Sequence, residues 1–457
     1  MDHLIFYSFS FLFLILLATV LVGKQWSSTF TNFLFANRSL KIFSAGMAIC
    51  SHWFFAIAMF VGPAVAYNWG LYGLIWFVIP NALSISVVGV LAYKFRDQYP
   101  DGYSLTKHVK EKFSKRLSSL YQIDFILVSF YAILLAFIAI EKFWVFSNIT
   151  IISATYAALA VGIITLLFTM RGGIRTSIFS GAFQSIAWIV FFVVCLITAN
   201  LVADQNIITL GKNNLETVLD WKFLTTFGIT YIITMIVGAS SHGMMWQKAF
   251  SMPKENILPS YFLATVVFAV IVFCLGSLSL IAFNNGIRVG SPEVATLTSI
   301  YTYVGITAIL SFGVLLIGQA STVIDSALNY IASLNNVDWL KSESIFVSRI
   351  AMLIFLLIAW LVSWLKIDIW TLFVLMSCVR ATMFVPLVLT AMNKSIKENW
   401  IFYSSLLGIG IALYFSIQSK LLKMPIYDMY AMLCALGIPI IGHILSNTKL
   451  IHVNRQQ

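Results

Sequence analysis

The apolar stretch GQASTVIDSALNYIAS, residues 318–333, carries Gln319, Ser321, Thr322, Asp325, Ser326 and Asn329. An aspartate at the centre of a membrane helix costs about 2.5–3.5 kcal/mol on insertion scales, and such residues mark ion or substrate paths. Asp325, ringed by hydroxyls, reads either as a packing acid bonded to its neighbours or as a group that handles a cation or proton. If buried, its carboxyl spends part of a working cycle protonated. His52, inside another apolar run, changes charge near neutral pH. It reads either as the partner of Asp325 in a proton-linked pair or as a neutral ring bonded to a backbone carbonyl. Arg380 lies mid-segment, where a guanidinium must face a cavity or a partner. It suits a substrate carboxylate, which it can grip with two parallel hydrogen bonds, or pairing with an internal acid such as Asp325. Ser240, Ser241 and His242 form a third polar cluster, with His242 either lining a cavity or sitting at the interface.

These residues must be positioned by membrane helices. The 457 residues are 60% hydrophobic and only 10% charged, against about 25% charged in soluble domains. Lipid forces every backbone polar group to be satisfied internally, so the expected class is all-α integral membrane. Thirteen apolar runs are long enough to cross: 4–23, 44–66, 71–93, 119–141, 151–170, 177–203, 223–244, 258–284, 300–334, 345–365, 369–392, 400–418 and 426–446. The first lacks a basic leader and a small-residue cleavage site, so it reads as a retained helix. The five cysteines, Cys50, Cys195, Cys274, Cys378 and Cys434, all fall in apolar runs without a CxxC pair. They read as small buried hydrophobes.

The net charge of +11 accompanies no nucleic-acid motif. With the N-terminus outside, the cytoplasmic connections and C-terminus hold twenty of the twenty-eight Lys and Arg. That bias predicts N-out, C-in. The run KHVKEKFSKR reads as a solvated cytoplasmic loop, with lipid binding as the alternative. One transmembrane domain over 1–447 is expected, followed by a short cytoplasmic tail, 448–457. The bias to Ile, Phe, Lys and Asn suits a bacterial source and hence the cell (inner) membrane.

Three stretches, taken in order, resemble the sodium:solute symporter family, which includes sodium/proline, sodium/glucose and sodium/pantothenate carriers. FANRSLKIFSAGMAICSHWFFAIAMFVGPAVAYNWGLYGLIWF is similar to that family's "ANRSL", small-residue helix with a Trp, Gly-Pro break and "GLxGLxW". MRGGIRTSIFSGAFQSI is similar to "GGLRAVxWTDxxQ", and the stretch at 318–333 to "STxDSxLN". Gln247-Lys248 resembles a family "QR/QK" element. The resemblance implies a LeuT-like core of two inverted five-helix repeats, about 44–203 and 223–392, with extra helices at both ends. Such repeats hold ligands at the midplane, where discontinuous helices expose backbone dipoles. Gly62-Pro63 suits the break in the first core helix, because proline frees a carbonyl.

The resemblance further implies a sodium site between the first and eighth core helices. Carbonyls of Ser51, Phe54 and Gln319 would share it with hydroxyls of the 318–333 stretch. Aligned on Asp325-Ser326, Thr322 takes the first hydroxyl position and Val323, with no oxygen, the second. A one-residue slip gives Ser321 and Thr322 instead, but rotates every side chain by about 100°. Gly181 stands where the "WTD" element has its aspartate. Trp53, Ser241, His242 and Arg380 are the expected substrate-site residues.

The expected function is ion-coupled uptake of a small organic solute, an amino acid or other carboxylate, by alternating access, with sodium as the coupling ion. Val323, Gly181 and His52 motivate a proton-coupled or sodium-independent carrier as the alternative. A third reading is a transporter-like sensor working with a separate signalling partner. No HExxH, Ser-His-Asp or paired-carboxylate arrangement suggests an enzyme.

Overall fold

A computed structural model describes residues 7, 10, 14, 29–100, 102, 104–203, 221–392 and 394–453. The expected first span, 4–23, lies outside the continuously described residues. Among the described residues, eleven helices are long and apolar enough to cross a membrane.

The continuously described residues open with α1 (Phe30–Phe35), capped by the Thr29 side chain. Next comes α2 (Ile42–Trp53), which stops where Phe54 turns extended (φ −77°, ψ 92°). A wide turn, Ile57–Val61, leads into α3 (Gly62–Gln98). The expected break at Gly62-Pro63 therefore falls earlier, at Phe54. Pro63 instead sits in the first turn of α3, where its missing N–H is harmless. The Gly62 N–H reaches back five residues to Ile57 O, which widens the turn just before the proline. No loop separates the expected spans 44–66 and 71–93. The helix carries on through a kink at Gly70, in the left-handed region (φ 69°).

Then follow α4 (Thr106–Lys112), α5 (Lys115–Phe146), α6 (Ala154–Gly172) and α7 (Ile174–Val202). The basic loop is docked rather than fully solvated. His108 is buried with Nε2 2.9 Å from Thr390 Oγ1, and burial, helped by the Lys112 charge, pushes it down to about 4. Lys110 pairs with Asp338 at 2.7 Å.

The second half begins with a wide turn, Leu224–Gly228, and α8 (Ile229–Ser240). After a break at Ser241-His242 come α9 (Gly243–Phe250) and α10 (Lys254–Asn284). The run 223–244, expected as one span, is thus two helices. The run 300–334 also divides, into α11 (Ala295–Tyr303) and α12 (Ile306–Ser333), separated at Gly305. The chain closes with α13 (Ile345–Ser363), α14 (Ile369–Ala391), α15 (Glu398–Leu422) and α16 (Ile426–Val453). The backbone of the expected tail therefore starts as helix.

Burial sorts these helices. Every residue of α12 from Leu316 to Ser333 is buried, as expected of a helix enclosed on all sides. It packs on α5, α6 and α7, while α2 lies against α7 and α10. By contrast α7 and α13 present rows such as Phe183, Val190, Ile197 and Ile350, Leu357, Leu361 outward, as lipid-facing helices do.

The α6–α7 corner depends on Gly173 (φ 60°), where an added Cβ would lie 2.2 Å from Phe33 O. A left-handed backbone costs L-residues about 1–2 kcal/mol, and this clash is with main chain. Gly173→Ala should lower the thermal unfolding midpoint of the purified protein. Gly410→Ala, where a Cβ meets nothing within 4 Å, should leave the midpoint unchanged or raise it.

Candidate functional site

Both helix breaks open onto one place. With Phe54 extended, regular bonding in α2 ends at Phe54 N–H to Cys50 O, 2.8 Å. Ser51 O is taken instead by the Gln319 side-chain amide of α12, whose Nε2 donates to it. Gln319 Oε1 accepts from Ser51 Oγ and Trp188 Nε1, both at 3.1 Å. A buried carbonyl left unpaired costs about 1–3 kcal/mol, so this amide is what makes the break tolerable. Phe54 anchors the turn against Trp188, Phe192 and Phe268.

One turn further along α12, Ser321 Oγ donates to Gly318 O at 2.7 Å and Thr322 Oγ1 to the same carbonyl at 3.2 Å. Two adjacent hydroxyls thus converge on one oxygen. Thr322 also reaches Ser180 Oγ at 3.4 Å. Val323 is fully buried. A Cβ on Gly181 would lie 3.1 Å from Ala48 Cα and 3.4 Å from Thr322 Cγ2, so position 181 borders the same interface.

Asp325 and His52 have separate partners and do not form the proton-linked pair that was one of the two readings of each from the sequence. Asp325 Oδ1 accepts from Asn329 Nδ2 at 2.7 Å and Thr169 Oγ1 at 3.0 Å. Its nearby charge is Lys248. Lys248, one of the twenty Lys and Arg that the N-out reading puts on the cytoplasmic side, is 2% exposed. Its Nζ lies 3.1 Å from Ser326 Oγ and 3.4 Å from Ala48 O. His52 Nε2 faces His242 Nδ1 at 3.4 Å, with the rings edge to face.

The histidine pair forms one wall of a cavity whose lining includes His52, Trp53, Asn81, Tyr131, His242 and Arg380. Trp53 is held by Nε1 donating to Asn81 Oδ1 at 2.6 Å, and Asn81 Nδ2 donates to Tyr231 OH at 2.9 Å. Three of the four substrate-site residues anticipated from sequence line this cavity; Ser241, at the break beside His242, lies next to Asp124 of α5. Arg380, 3% exposed, stacks its guanidinium over Tyr131 at 5.0 Å. Its Nε and Nη2 have no hydrogen-bond partner among the described residues. Its neighbouring acid is Asp124, not Asp325. Asp124, Lys248, Asn81 and Tyr131 were not singled out from sequence as site residues. Asp124 carried the same signal as Asp325, an acid inside an apolar run.

No family model matches the chain. It is 22% identical over 343 residues to a probable urea active transporter of Schizosaccharomyces pombe, covering 67% of this chain and 50% of that protein. It is also 22% identical over 234 residues to a spermidine transporter of Candida albicans, covering 49% of this chain and 43% of that one. The chain thus spans about half the length of the curated relatives it matches. Among solved structures, a sodium-coupled sialic acid symporter, described as substrate-bound and outward-open, superposes with a TM-score of 0.78 at 16% identity, covering 96% of this chain and 97% of that one. The nucleobase-cation symporter Mhp1, closed around bromovinylhydantoin, superposes with a TM-score of 0.57 at 14% identity, covering 90% and 93%. The fold is therefore the all-helical LeuT-like one of these symporters, with its first and sixth core helices broken at Phe54 and Ser241-His242.

Asp325 is the acceptor for two buried donors. Asp325→Ala should lower the thermal midpoint clearly: Thr169 keeps Thr165 O as an acceptor at 2.7 Å, but Asn329 loses its Oδ1 partner, at about 1–3 kcal/mol for a buried donor, and Lys248 loses its neighbouring carboxylate. Asp325→Asn, which keeps an oxygen for Thr169 and Asn329, should lower it less. Equal midpoints for the two variants would show that these bonds contribute nothing.

Proposed function

We propose that this chain is a secondary transporter that takes up a small organic solute by alternating access, coupled to a cation gradient. We further assign it to the sodium:solute symporter family that its motifs resemble. The observation that carries this reading is the cavity beside both helix breaks, walled by Trp53, His52 and His242 and faced by a guanidinium whose Nε and Nη2 have no hydrogen-bond partner among the described residues. A buried, incompletely paired charge is costly in stability, and a ligand that completes it repays that cost on binding. Arg380 favours a carboxylate-bearing solute, an amino acid among them, gripped through Nε and Nη2. Trp53, Phe55, Tyr131 and Phe373 offer apolar faces to its body.

Sodium is the coupling ion of the family resemblance, and the sialic acid symporter with the same fold is sodium-coupled. Proton coupling or sodium independence is the second reading, favoured by Gly181 and Val323. The protein sits in a membrane; N-out, C-in in the cell (inner) membrane is our reading of the Lys and Arg bias.

Proteoliposomes carrying the wild type should accumulate at least one labelled amino acid or small carboxylate, and Arg380→Ala should reduce its apparent affinity by about 10- to 100-fold. Wild-type uptake by Arg380→Ala would remove the guanidinium clamp. Absence of uptake, with ligand binding retained, would favour a sensor. For orientation, a fluorescent protein fused after Gln457 should fluoresce in cells and alkaline phosphatase at the same site should stay inactive. The reverse pattern would invert the topology.

A further inference from the structure

The geometry points to Lys248 as a tethered cation that ties the broken helix α2 to α12 and takes the electrostatic part of a coupling sodium at that interface. The inference goes beyond the carrier reading and rests on it only for the meaning of coupling.

Lys248 stands on α9, the segment after the second break. It bridges the other two partners of the interface, Ala48 O of α2 and Ser326 Oγ of α12, at 3.4 and 3.1 Å. Asp325, fully buried, supplies the neighbouring negative charge. A backbone carbonyl, a hydroxyl and a nearby carboxylate around one cation are the kind of oxygen environment that hard ions take. Here the chain supplies the positive charge itself.

Charge balance separates this chain from the pattern it resembles. That pattern places a base at position 248 and acids at both 325 and 181, an excess of one negative charge. With Gly181, Lys248 and Asp325 balance one to one. A further cation brought into this buried region would be uncompensated, which is costly at low dielectric. The contacts agree. Ser51 O already accepts from the Gln319 amide, and Gly318 O accepts from both the Ser321 and Thr322 hydroxyls, so the carbonyl oxygens at this level are engaged by the protein's own donors. Gly181 abuts Ala48 and Thr322, so the missing carboxylate belongs to this interface and not to a remote surface.

The test needs no knowledge of the solute, so its failure is separate from that of the carrier reading. Purified wild type should show no saturable binding of ²²Na⁺ that depends on Ser321 or Thr322. Lys248→Ser leaves Asp325 uncompensated; its midpoint should fall in KCl and partly recover in NaCl. Equal midpoints of Lys248→Ser in the two salts would overturn the substitution of lysine for sodium. Saturable ²²Na⁺ binding by the wild type that disappears in Ser321→Ala or Thr322→Ala would overturn it too. Sodium binding untouched by those two changes lies elsewhere and supports the inference. Should Lys248→Ser fail to fold, the wild-type and Ser321/Thr322 measurements decide alone.

Discussion

A backbone carbonyl inside a bilayer must find a donor, and this structure is arranged around the places where the helix stops providing one. Ending α2 at Phe54 frees Ser51 O, and the Gln319 amide of α12 takes it. That bond dictates much else. It requires α12 to run buried alongside the break, which explains why its polar residues are enclosed. It holds Trp188 through Gln319 Oε1 and so fixes α7 against both helices. It also sets Trp53 and His52 at the mouth of the cavity, where Asn81 and His242 receive them.

Much of this architecture was legible from the lengths of the apolar runs, since bilayer thickness sets them. The breaks were less so. Gly62-Pro63 is the local signature of an interruption, yet Pro63 rests in a first helical turn and the chain opens at Phe54, a residue with no breaking tendency of its own. The interruption is imposed by tertiary partners, Gln319 and the aromatic pocket around Phe54, which only the fold assembles. Ser241-His242 likewise lacks Gly or Pro at the break itself. The site was readable in part. Trp53, His52, His242 and Arg380 stood out as polar or aromatic residues at depth, and they share one cavity. Lys248 was misjudged because its span was ended too early, at 244, which placed a buried ammonium among surface bases. Asp124 was passed over although its setting matched that of Asp325.

Two buried charge groups divide the interior. On the cavity side Arg380 leans on Tyr131 with Asp124 nearby; on the α2–α12 side Lys248 is set against Asp325. Neither group forms an ion pair within 4 Å among the described residues. Close buried pairs are hard to separate because each partner would be left desolvated. Loosely matched ones can exchange partners at smaller cost, which suits the alternating access proposed above. The tight pairs lie toward the chain's connections instead, as with Glu141–Lys366 at 2.6 Å and Lys110–Asp338.

The wide turn at Ile57–Val61 acts as a phase shifter. Its bond from Gly62 N–H to Ile57 O encloses one residue more than an ordinary helical turn, and one residue is worth about 100° of rotation. The residues just before the turn and those of α3 after it are therefore out of step by that extra residue, on top of the reorientation that the break at Phe54 imposes on α2. A single hydrophobic stripe drawn through residues 42–98 averages two offset patterns into none. The turn lets one continuous stretch of chain serve two different neighbours, and its length is as much a part of the cavity's shape as any side chain that lines it.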